Sequence, residues 1–263
     1  MYAFDYHRPD RLDTVLDLLQ DESALLLAGG QTLIAAMKHR LAEPSMLIDL
    51  AGIAGLDEIR HDGDELTIGA MARHDQVARS GLVKHFLPAL ASLAGQIGDP
   101  QVRNRGTIGG SIANHDPAAD YPAACLGFGA IIVTNKREIA ADDFFLGLFE
   151  TALDAGELVL AVRFKLGKQA AWQKFKQPAS RYALVGVLVA RDEDKVRVAV
   201  TGAGEEGVMR CPPLEAALEQ DFSPDRARET RIEADGLLSN FHGSDAYRAH
   251  LISVLTARAV AMM

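Results

Sequence analysis

The chain has 263 residues, and 48% of them are hydrophobic, which is ample for one large buried core or two modest ones. Its formal net charge is −9, and this argues against a nucleic-acid partner, because binding to a phosphate backbone draws on an excess of basic surface. The N-terminal segment lacks the pattern of a signal peptide, and no apolar run approaches membrane-spanning length. We therefore expect a cytoplasmic protein without membrane insertion.

The chain contains two cysteines, Cys125 and Cys211. They are too few to hold an iron–sulfur cluster and too far apart in sequence to form a closed zinc site, so any metal redox centre is expected on another chain. Neither has an evident base nearby in sequence and no serine lies in a G-x-S-x-G pattern, so no catalytic residue is predicted. Several histidines lack metal-type spacing and are expected to be solvated or structural: His39, His74, His85 and His115.

Alternating helical and strand patterns run through the first two thirds of the chain. In chain order they predict a helix over 12–19, a strand over 23–28, a helix over 32–41, a strand over 45–50, two short strands within 58–68 and a helix over 75–85. They then predict helices over 87–97 and 120–128, a hairpin over 130–140 and a strand over 158–164. This part is expected to form a domain over 1–167, with subdomains of about 1–56 and 57–167.

The last hundred residues change in character, and a domain boundary is expected near Gly167-Lys168, which leaves a C-terminal domain over 168–263. Apolar runs over 174–177, 183–191 and 195–200 are compatible with strands or with buried helices. The polar run 192–195 is typical of a hairpin turn. Two polar helices are expected between 214 and 238, and a final helix over 245–261 is predicted to be capped by Ser244.

Two glycine-bearing segments are candidates for a binding site. The first, Ala28-Gly29-Gly30-Gln31-Thr32, joins a strand pattern to a helix pattern and would alone be an ordinary turn. The second, residues 96–114, combines several glycines with Arg103 and Arg105 and predicts a long loop that wraps a ligand. Glycine lets backbone N–H groups approach an anion closely, and a helix N-terminus adds a favourable dipole. Together the two segments predict a site for a pyrophosphate.

A literal G-x-G-x-x-G motif lies at residues 202–207, after a plausible strand. A dinucleotide fingerprint of this kind must open a helix directly, yet Cys211-Pro212-Pro213 follows almost at once. Glu205 and Glu206 would also place two carboxylates where an anion should lie. The motif is therefore predicted to be a surface hairpin or turn.

Several segments resemble one known family. Residues 28–33, Ile68-Gly69-Ala70 and the segment 97–120 are similar to the FAD-binding medium subunit of the molybdenum hydroxylases, the group of xanthine dehydrogenase and aerobic carbon monoxide dehydrogenase. The similarity extends to Tyr6-His7-Arg8-Pro9, to 144–153 and to 247–251. It implies an α+β fold: the two-subdomain FAD-binding fold of the vanillyl-alcohol oxidase (PCMH) type, followed by a C-terminal α+β domain of the carbon monoxide dehydrogenase flavoprotein type.

The resemblance also implies the cofactor, FAD, and the residues that hold it. Residues 28–32 and 107–111 would cradle the pyrophosphate, Lys176 would lie near the flavin and Tyr182 close to its ring. The implied FAD-binding residues are Ala28, Gly29, Gly30, Gln31, Thr32, Leu33, Ile68, Gly69, Ala70, Val102, Gly106, Thr107, Ile108, Gly109, Gly110, Ser111, Asn114, Asp116, Asp120, Lys176 and Tyr182.

By the same resemblance the chain is an electron relay within a larger complex. A large partner subunit would carry the molybdenum cofactor, a small partner would carry [2Fe–2S] clusters, and FAD on this chain would pass electrons to an external acceptor. A dimer of heterotrimers is the implied assembly. Two alternatives stay open: a self-sufficient FAD-dependent oxidase of the same fold, which would need a substrate pocket over the ring, and a flavin-free assembly or scaffold protein.

Overall fold

The computed structural model of the protein describes residues 1–193 and 195–263. The chain begins with β1 (Asp5–His7), α1 (Leu12–Leu18), β2 (Ala24–Leu27), α2 (Leu33–Lys38), β3 (Met46–Asp49) and a 3₁₀ turn at Leu50–Gly52. Its strands form a three-stranded parallel sheet in the order β1-β3-β2. Helices make the crossovers, as parallel pairing requires, and Val15 of α1 packs on Ile48 of β3 in a small core.

The middle of the chain builds a second, five-stranded sheet and most of the helices. Its elements are, in chain order, β4 (Ile59–Asp62), β5 (Glu65–Gly69), α3 (His74–Arg79), α4 (Gly81–Phe86), α5 (Pro88–Gly95), α6 (Pro100–Arg103), α7 (Ile108–Asn114), α8 (Asp120–Phe128), β6 (Ile131–Thr134), β7 (Glu138–Ala140), α9 (Ala141–Phe144), β8 (Phe145–Gly147), β9 (Glu150–Thr151) and β10 (Val159–Lys165). The large sheet is antiparallel in the order β4-β5-β10-β6-β7, and β8 and β9 form a two-stranded antiparallel sheet.

The remaining residues form a third sheet, which is four-stranded and antiparallel. It consists of β11 (Gln169–Lys176), β12 (Ala183–Asp192), β13 (Lys195–Gly204) and β14 (Gly207–Arg210), and it is followed by α10 (Pro212–Gln220), α11 (Pro224–Glu229) and α12 (Asp245–Val260). Among the residues that the structure describes, no helix is both long enough and apolar enough to cross a membrane.

The third sheet is covered on both of its faces. Leu188 and Ala190 point into the core that contains α8, whereas Val187 and Val189 point into the core formed with α12. Helix α8 packs so closely on β12 that a Cβ at Gly127 would overlap the side chain of Leu188. A strand covered on both faces is apolar without alternation, and this explains why the run 183–191 did not reveal its type from sequence.

Much of the predicted secondary structure is confirmed. The first glycine segment does join a strand, β2, to a helix, α2, and the apolar runs of the last third are strands. Ser244 caps α12 as predicted, because its hydroxyl accepts a 3.2 Å hydrogen bond from the Tyr247 amide. Residues 202–207 are a hairpin that joins β13 to β14. The predicted turn at 192–195 joins β12 to β13, although its Asp194 lies outside the described residues.

Two predictions are wrong. The single helix expected over 75–85 is two helices, because Ser80 adopts an extended ψ of 128° and caps α4. The second glycine segment is not a long loop, because it contains α6 and α7. Asp99 caps α6 by accepting a 2.8 Å hydrogen bond from Val102, and Thr107 caps α7 by accepting a 3.1 Å bond from Gly110. The short strand β1 was not predicted at all.

The packing of α8 on the third sheet can be tested by removing the side chain of Leu188, which is fully buried. Leu188→Ala is expected to lower the free energy of unfolding by about 2–5 kcal/mol, because a cavity would form between the two cores. Urea titration followed by circular dichroism measures this change. Leu41→Ala is the control, since Leu41 is 82% exposed, and it should change the free energy by less than about 0.5 kcal/mol. If both variants changed the free energy of unfolding by the same small amount, the interface between α8 and the third sheet would contribute little to stability.

Candidate functional site

A cavity of 650 Å³ lies where the three sheets meet. One wall comes from the end of β2 and the start of α2, another from residues 97–120, and a third from residues 174–182 at the end of β11. Volumes of this size are typical of cofactor and ligand sites. All three parts of the chain therefore contribute to one site.

Most of the predicted FAD-binding residues line this cavity. They are Ala28, Gly29, Gly30, Gln31, Thr32, Leu33, Ala70, Val102, Gly106, Thr107, Gly109, Gly110, Ser111, Asn114, Asp116, Asp120 and Tyr182. They range in sequence from Ala28 to Tyr182, and the fold brings them together.

The other predicted residues lie off the cavity wall. Ile68 and Ile108 are fully buried in the core behind it, because both side chains point away from the cavity into the apolar interior. Gly69 is pressed against the backbone of Leu56, where a Cβ would overlap the carbonyl oxygen. Lys176 is exposed at the end of β11. These four residues therefore lie beside the cavity rather than on its wall, and their part in FAD binding stays a prediction.

The first glycine segment offers unpaired backbone donors. Gly30 has a φ of +69°, which turns the chain from β2 into α2. Within the described part of the chain, the amides of Gly30, Gln31 and Thr32 donate to no carbonyl or side-chain acceptor. Consecutive free N–H groups at the start of a helix form a favourable site for an anion. This segment therefore has the chemistry that was predicted for it.

The two glycine segments touch each other through their backbones. A Cβ at Gly29 would overlap the carbonyl oxygen of Arg105 and lie 2.7 Å from the Cα of Gly106. Glycine at position 29 is therefore required by the close approach of two chain segments. The contact holds the first segment against the second and closes one side of the cavity.

The second glycine segment contributes in a different way from the one predicted. The amide of Ile108 donates to the Ala72 carbonyl at 3.1 Å, and that of Gly109 donates to the Ala70 carbonyl at 2.8 Å. Those N–H groups are already paired within the fold and are not available to a phosphate. Gly110 instead lies at a narrow gap, because a Cβ there would come within 3.0 Å of the Thr107 hydroxyl, which is a tight contact, and within 3.6 Å of the Ala28 side chain. The absence of a side chain at Gly110 thus leaves this gap between the two walls unfilled.

Gly110→Val tests this role. The branched side chain would fill the gap between the Thr107 and Ala28 side chains, so FAD affinity should fall more than about tenfold while the fold is retained. Gly81→Val is a matched control, since Gly81 also lies in the first turn of a helix but has nothing within 4 Å of its Cβ position. Affinity is measured by the quenching of flavin fluorescence as the protein is added. Equal losses in the two variants would contradict the proposed role of Gly110.

A buried ion pair lies at the other end of the cavity. The Lys174 ammonium, on β11, is 2.6 Å from Oδ2 of Asp120, the first residue of α8, and both side chains are only 2% exposed. Oδ1 of Asp120 is buried and has no hydrogen-bond partner among the described residues. Burial raises the pKa of Asp120 to about 6, and the charge of Lys174 opposes that shift. The cavity thus contains an acceptor atom that the protein itself leaves unpaired.

The rim of the cavity is formed by the turn that follows β11. Arg181 has a φ of +62° and its guanidinium donates to the Gly98 carbonyl at 3.4 Å, so the turn reaches across to the residues before α6. Tyr182 is 47% exposed, and burial together with the nearby carboxylates of Asp116 and Asp120 raises its pKa. An aromatic ring therefore stands at the opening of the cavity.

Three of the four histidines are solvated or structural, as the sequence indicated, and the fourth, His74, also lines the cavity. His39 and His85 are exposed, and His115 is buried, donating from Nδ1 to the Glu150 carbonyl at 3.0 Å and accepting from the Val208 amide at Nε2. His74 is 5% exposed and lines the cavity next to Gly106. Burial, assisted by the charge of Arg103, lowers the pKa of His74 to about 4. Its imidazole is therefore neutral at physiological pH.

This shift predicts a loss of stability in mild acid. As the pH falls below about 6.5 the unfolded chain binds a proton at His74, whereas the folded chain does so only near pH 4, so protons favour unfolding between these values. Between pH 7 and pH 5 the flavin-free protein should lose about 2 kcal/mol of unfolding free energy relative to His74→Leu. Urea titrations at the two pH values measure the difference. If the difference in unfolding free energy between the unmodified chain and His74→Leu stayed constant with pH, the lowered pKa of His74 would be contradicted.

The sequence did not indicate several other residues of the cavity wall, which include polar ones such as Lys174, His74 and Glu157 and a group of apolar ones. Lys174 precedes the predicted Lys176 by two positions, so the period-two spacing of a strand places both on one face, and this signal was available. The apolar wall residues carried no such signal, because they resemble ordinary core positions. They include Leu25, Leu26, Leu50, Met71, Leu153 and Leu158.

The fold and the cavity together define a protein that binds a dinucleotide cofactor, with free amides at one end and an unpaired carboxylate oxygen at the other. Residues 2–164 match the family described as the FAD binding domain in molybdopterin dehydrogenase. The chain therefore belongs to this family, and it is the FAD-binding component of an oxidoreductase.

Known relatives agree over most of the chain. The nicotine 6-hydroxylase medium subunit of Paenarthrobacter nicotinovorans is 34% identical over 98% of this chain and 96% of its own length. The carbon monoxide dehydrogenase medium chain of Hydrogenophaga pseudoflava is 37% identical over 79% of this chain and 77% of its own. A solved structure of carbon monoxide dehydrogenase from Hydrogenophaga pseudoflava, which lacks the Mo-pyranopterin moiety of its molybdenum cofactor, superimposes with a TM-score of 0.90 at 33% identity, covering 99% of this chain and 96% of that one.

Proposed function

We propose that this medium subunit passes electrons from [2Fe–2S] clusters on a small partner subunit, through FAD, to an external acceptor. The substrate would react at a molybdenum cofactor on a large partner, because the relatives are medium chains or subunits of enzymes that oxidise small molecules. By the same analogy we propose a cytoplasmic dimer of heterotrimers. Within the chain we propose a division at Gly167-Lys168, between β10 and β11.

The observation that carries this proposal is the match between the cavity and the parts of FAD. Free amides at Gly30, Gln31 and Thr32 suit phosphate oxygens, and the absence of a side chain at Gly110 leaves the narrow gap between the two glycine segments unfilled. Oδ1 of Asp120 suits a hydroxyl donor, because it is buried without a partner. Apolar wall residues such as Leu25, Leu33 and Leu50 suit the flat aromatic rings of the cofactor.

FAD, when bound, supplies the uptake and release of electrons, which no side chain of this chain provides. The residues of the chain hold and orient it. Tyr182 shields the opening of the cavity, and we propose that the exposed Lys176 acts from outside the wall as a nearby positive charge rather than as a direct contact. Ile68, Gly69 and Ile108 support the wall from behind through packing.

Purification of the tagged chain from its native cells tests the assembly. Two further subunits should co-purify, together with an amount of molybdenum comparable to FAD and at least about four iron atoms per FAD, because each [2Fe–2S] cluster holds two iron atoms. Anaerobic stopped-flow absorbance near 450 nm then compares the complex with the isolated chain, using carbon monoxide, aldehydes and N-heteroaromatic compounds as candidate substrates. We expect a productive compound to bleach the flavin in the complex and the same compound to leave the isolated chain yellow.

The opposite result would support the free-standing oxidase. In that case the tagged chain would be recovered alone, and a small organic compound would bleach its flavin rapidly without any partner. A colourless chain that binds no added FAD would instead support a scaffold role.

A further inference from the structure

The buried pair of Lys174 and Asp120 joins two parts of the chain. Asp120 begins α8, which lies outside the third sheet, and Lys174 is a residue of β11 within that sheet. The turn before Asp120 is fixed from the same sheet, since the Thr201 hydroxyl donates to the Ala119 carbonyl at 2.7 Å and the Gly202 amide donates to the Pro117 carbonyl at 2.8 Å. The position of the Asp120 carboxylate is therefore determined by the third sheet.

The two oxygens of this carboxylate have different surroundings. Oδ2 receives the Lys174 ammonium at 2.6 Å, whereas Oδ1 is buried and has no partner among the described residues. A buried acceptor without a partner is rare in a folded protein, because losing its hydration without compensation is unfavourable. Both residues line the cavity, so the missing partner can come from a molecule bound there.

We propose, on the basis of the function proposed above, that Lys174 is a positioning residue for the cofactor: by occupying Oδ2 it keeps Asp120 ionised and leaves Oδ1 to accept a hydrogen bond from a hydroxyl of the FAD polyol chain. The third sheet thereby completes the FAD site of the family domain at residues 2–164. Cofactor binding and the docking of that sheet are then coupled through one ion pair.

Lys174 is the cation best placed for this role. Other groups that face Asp120 are Lys176 on β11, which acts at longer range, Tyr121 on α8, and Tyr182 in the rim turn. The pKa values of both tyrosines are raised above their usual 10 and that of His74 is about 4, so these three groups change charge little between pH 5 and 8.5. Burial and the charge of Lys174 lower the pKa of Lys176, so the part of the pH dependence that Asp120→Asn removes is the part that reports on Asp120, whose pKa is about 6.

The test is the pH dependence of FAD affinity of the full chain, measured by flavin fluorescence quenching between pH 5 and 8.5. In the unmodified chain affinity should rise with pH through about 6 and then level off. Lys174→Met removes the opposing charge, so the pKa of Asp120 rises further and the midpoint should move up by at least about one pH unit. At pH 6.5 its affinity should be lower by at least about threefold, because a rise of the pKa from about 6 to about 7 lowers the ionised fraction of Asp120 from roughly three quarters to roughly one quarter. Near pH 5 the loss should approach about tenfold. Lys174→Arg should restore the original profile.

Two further variants separate positioning from simple support of the fold. Lys174→Gln keeps a hydrogen-bond donor without the charge, and it should show the same shifted profile if Lys174→Met does not fold. In Asp120→Asn, which cannot titrate, adding Lys174→Met should change FAD affinity by less than about twofold at any pH.

Three outcomes would overturn the proposal. Lys174→Met or Lys174→Gln with an unshifted midpoint would show that the cation does not control Asp120. If Lys174→Met lowered FAD affinity equally at every pH, and did so again in the Asp120→Asn background, the ion pair would have a purely structural role. Failure of the unmodified chain to bind FAD at any pH would contradict the proposed function and this inference together, whereas normal binding with unshifted variants contradicts this inference alone.

Discussion

Helix α8 is buried along its whole length, and the rest of the structure is arranged around it. One side of the helix belongs to the core of the second sheet, and another side packs on Leu188 of the third sheet at the close contact of Gly127. A helix that is apolar on all sides is stable only inside such a double layer. Its first residue, Asp120, reaches the cavity, so the same packing that joins the two parts of the protein also places a polar group in the site.

The glycines of the two segments beside the cavity serve several purposes. Gly29 allows the two segments to touch, Gly30 turns the chain into α2, and Gly110 leaves the narrow gap beside Thr107 and Ala28 unfilled. Phosphate binding by amides is possible mainly at the first segment, because the amides at Ile108 and Gly109 are already paired. A glycine-rich segment therefore indicates that its backbone lies close to another group, which can be a second chain segment or a ligand. The hydrogen-bond partners of its amides distinguish the two cases, because an amide that is already paired within the fold is not available to a ligand.

The sequence predicted much of the secondary structure and the two chain segments at which the cavity lies. Glycine segments carry a local signal, and with the family resemblance they indicated 17 of the 35 residues that line the cavity. The caps Asp99 and Thr107 were overlooked, because short helices of four to seven residues have weak periodicity and their glycines favoured a loop. The partnership of Lys174 with Asp120 could not be seen, since the two residues are 54 positions apart and only the fold brings them together.

A single cavity built by three parts of the chain is expected to bind FAD, and isothermal titration of the flavin-free full chain with FAD measures this binding directly. We predict that one FAD binds per chain and that FMN binds more weakly, because FMN lacks the second phosphate and the adenosine that reach the rest of the cavity. No binding of FAD, or equal affinity for FAD and FMN, would contradict the assignment of the cavity to FAD.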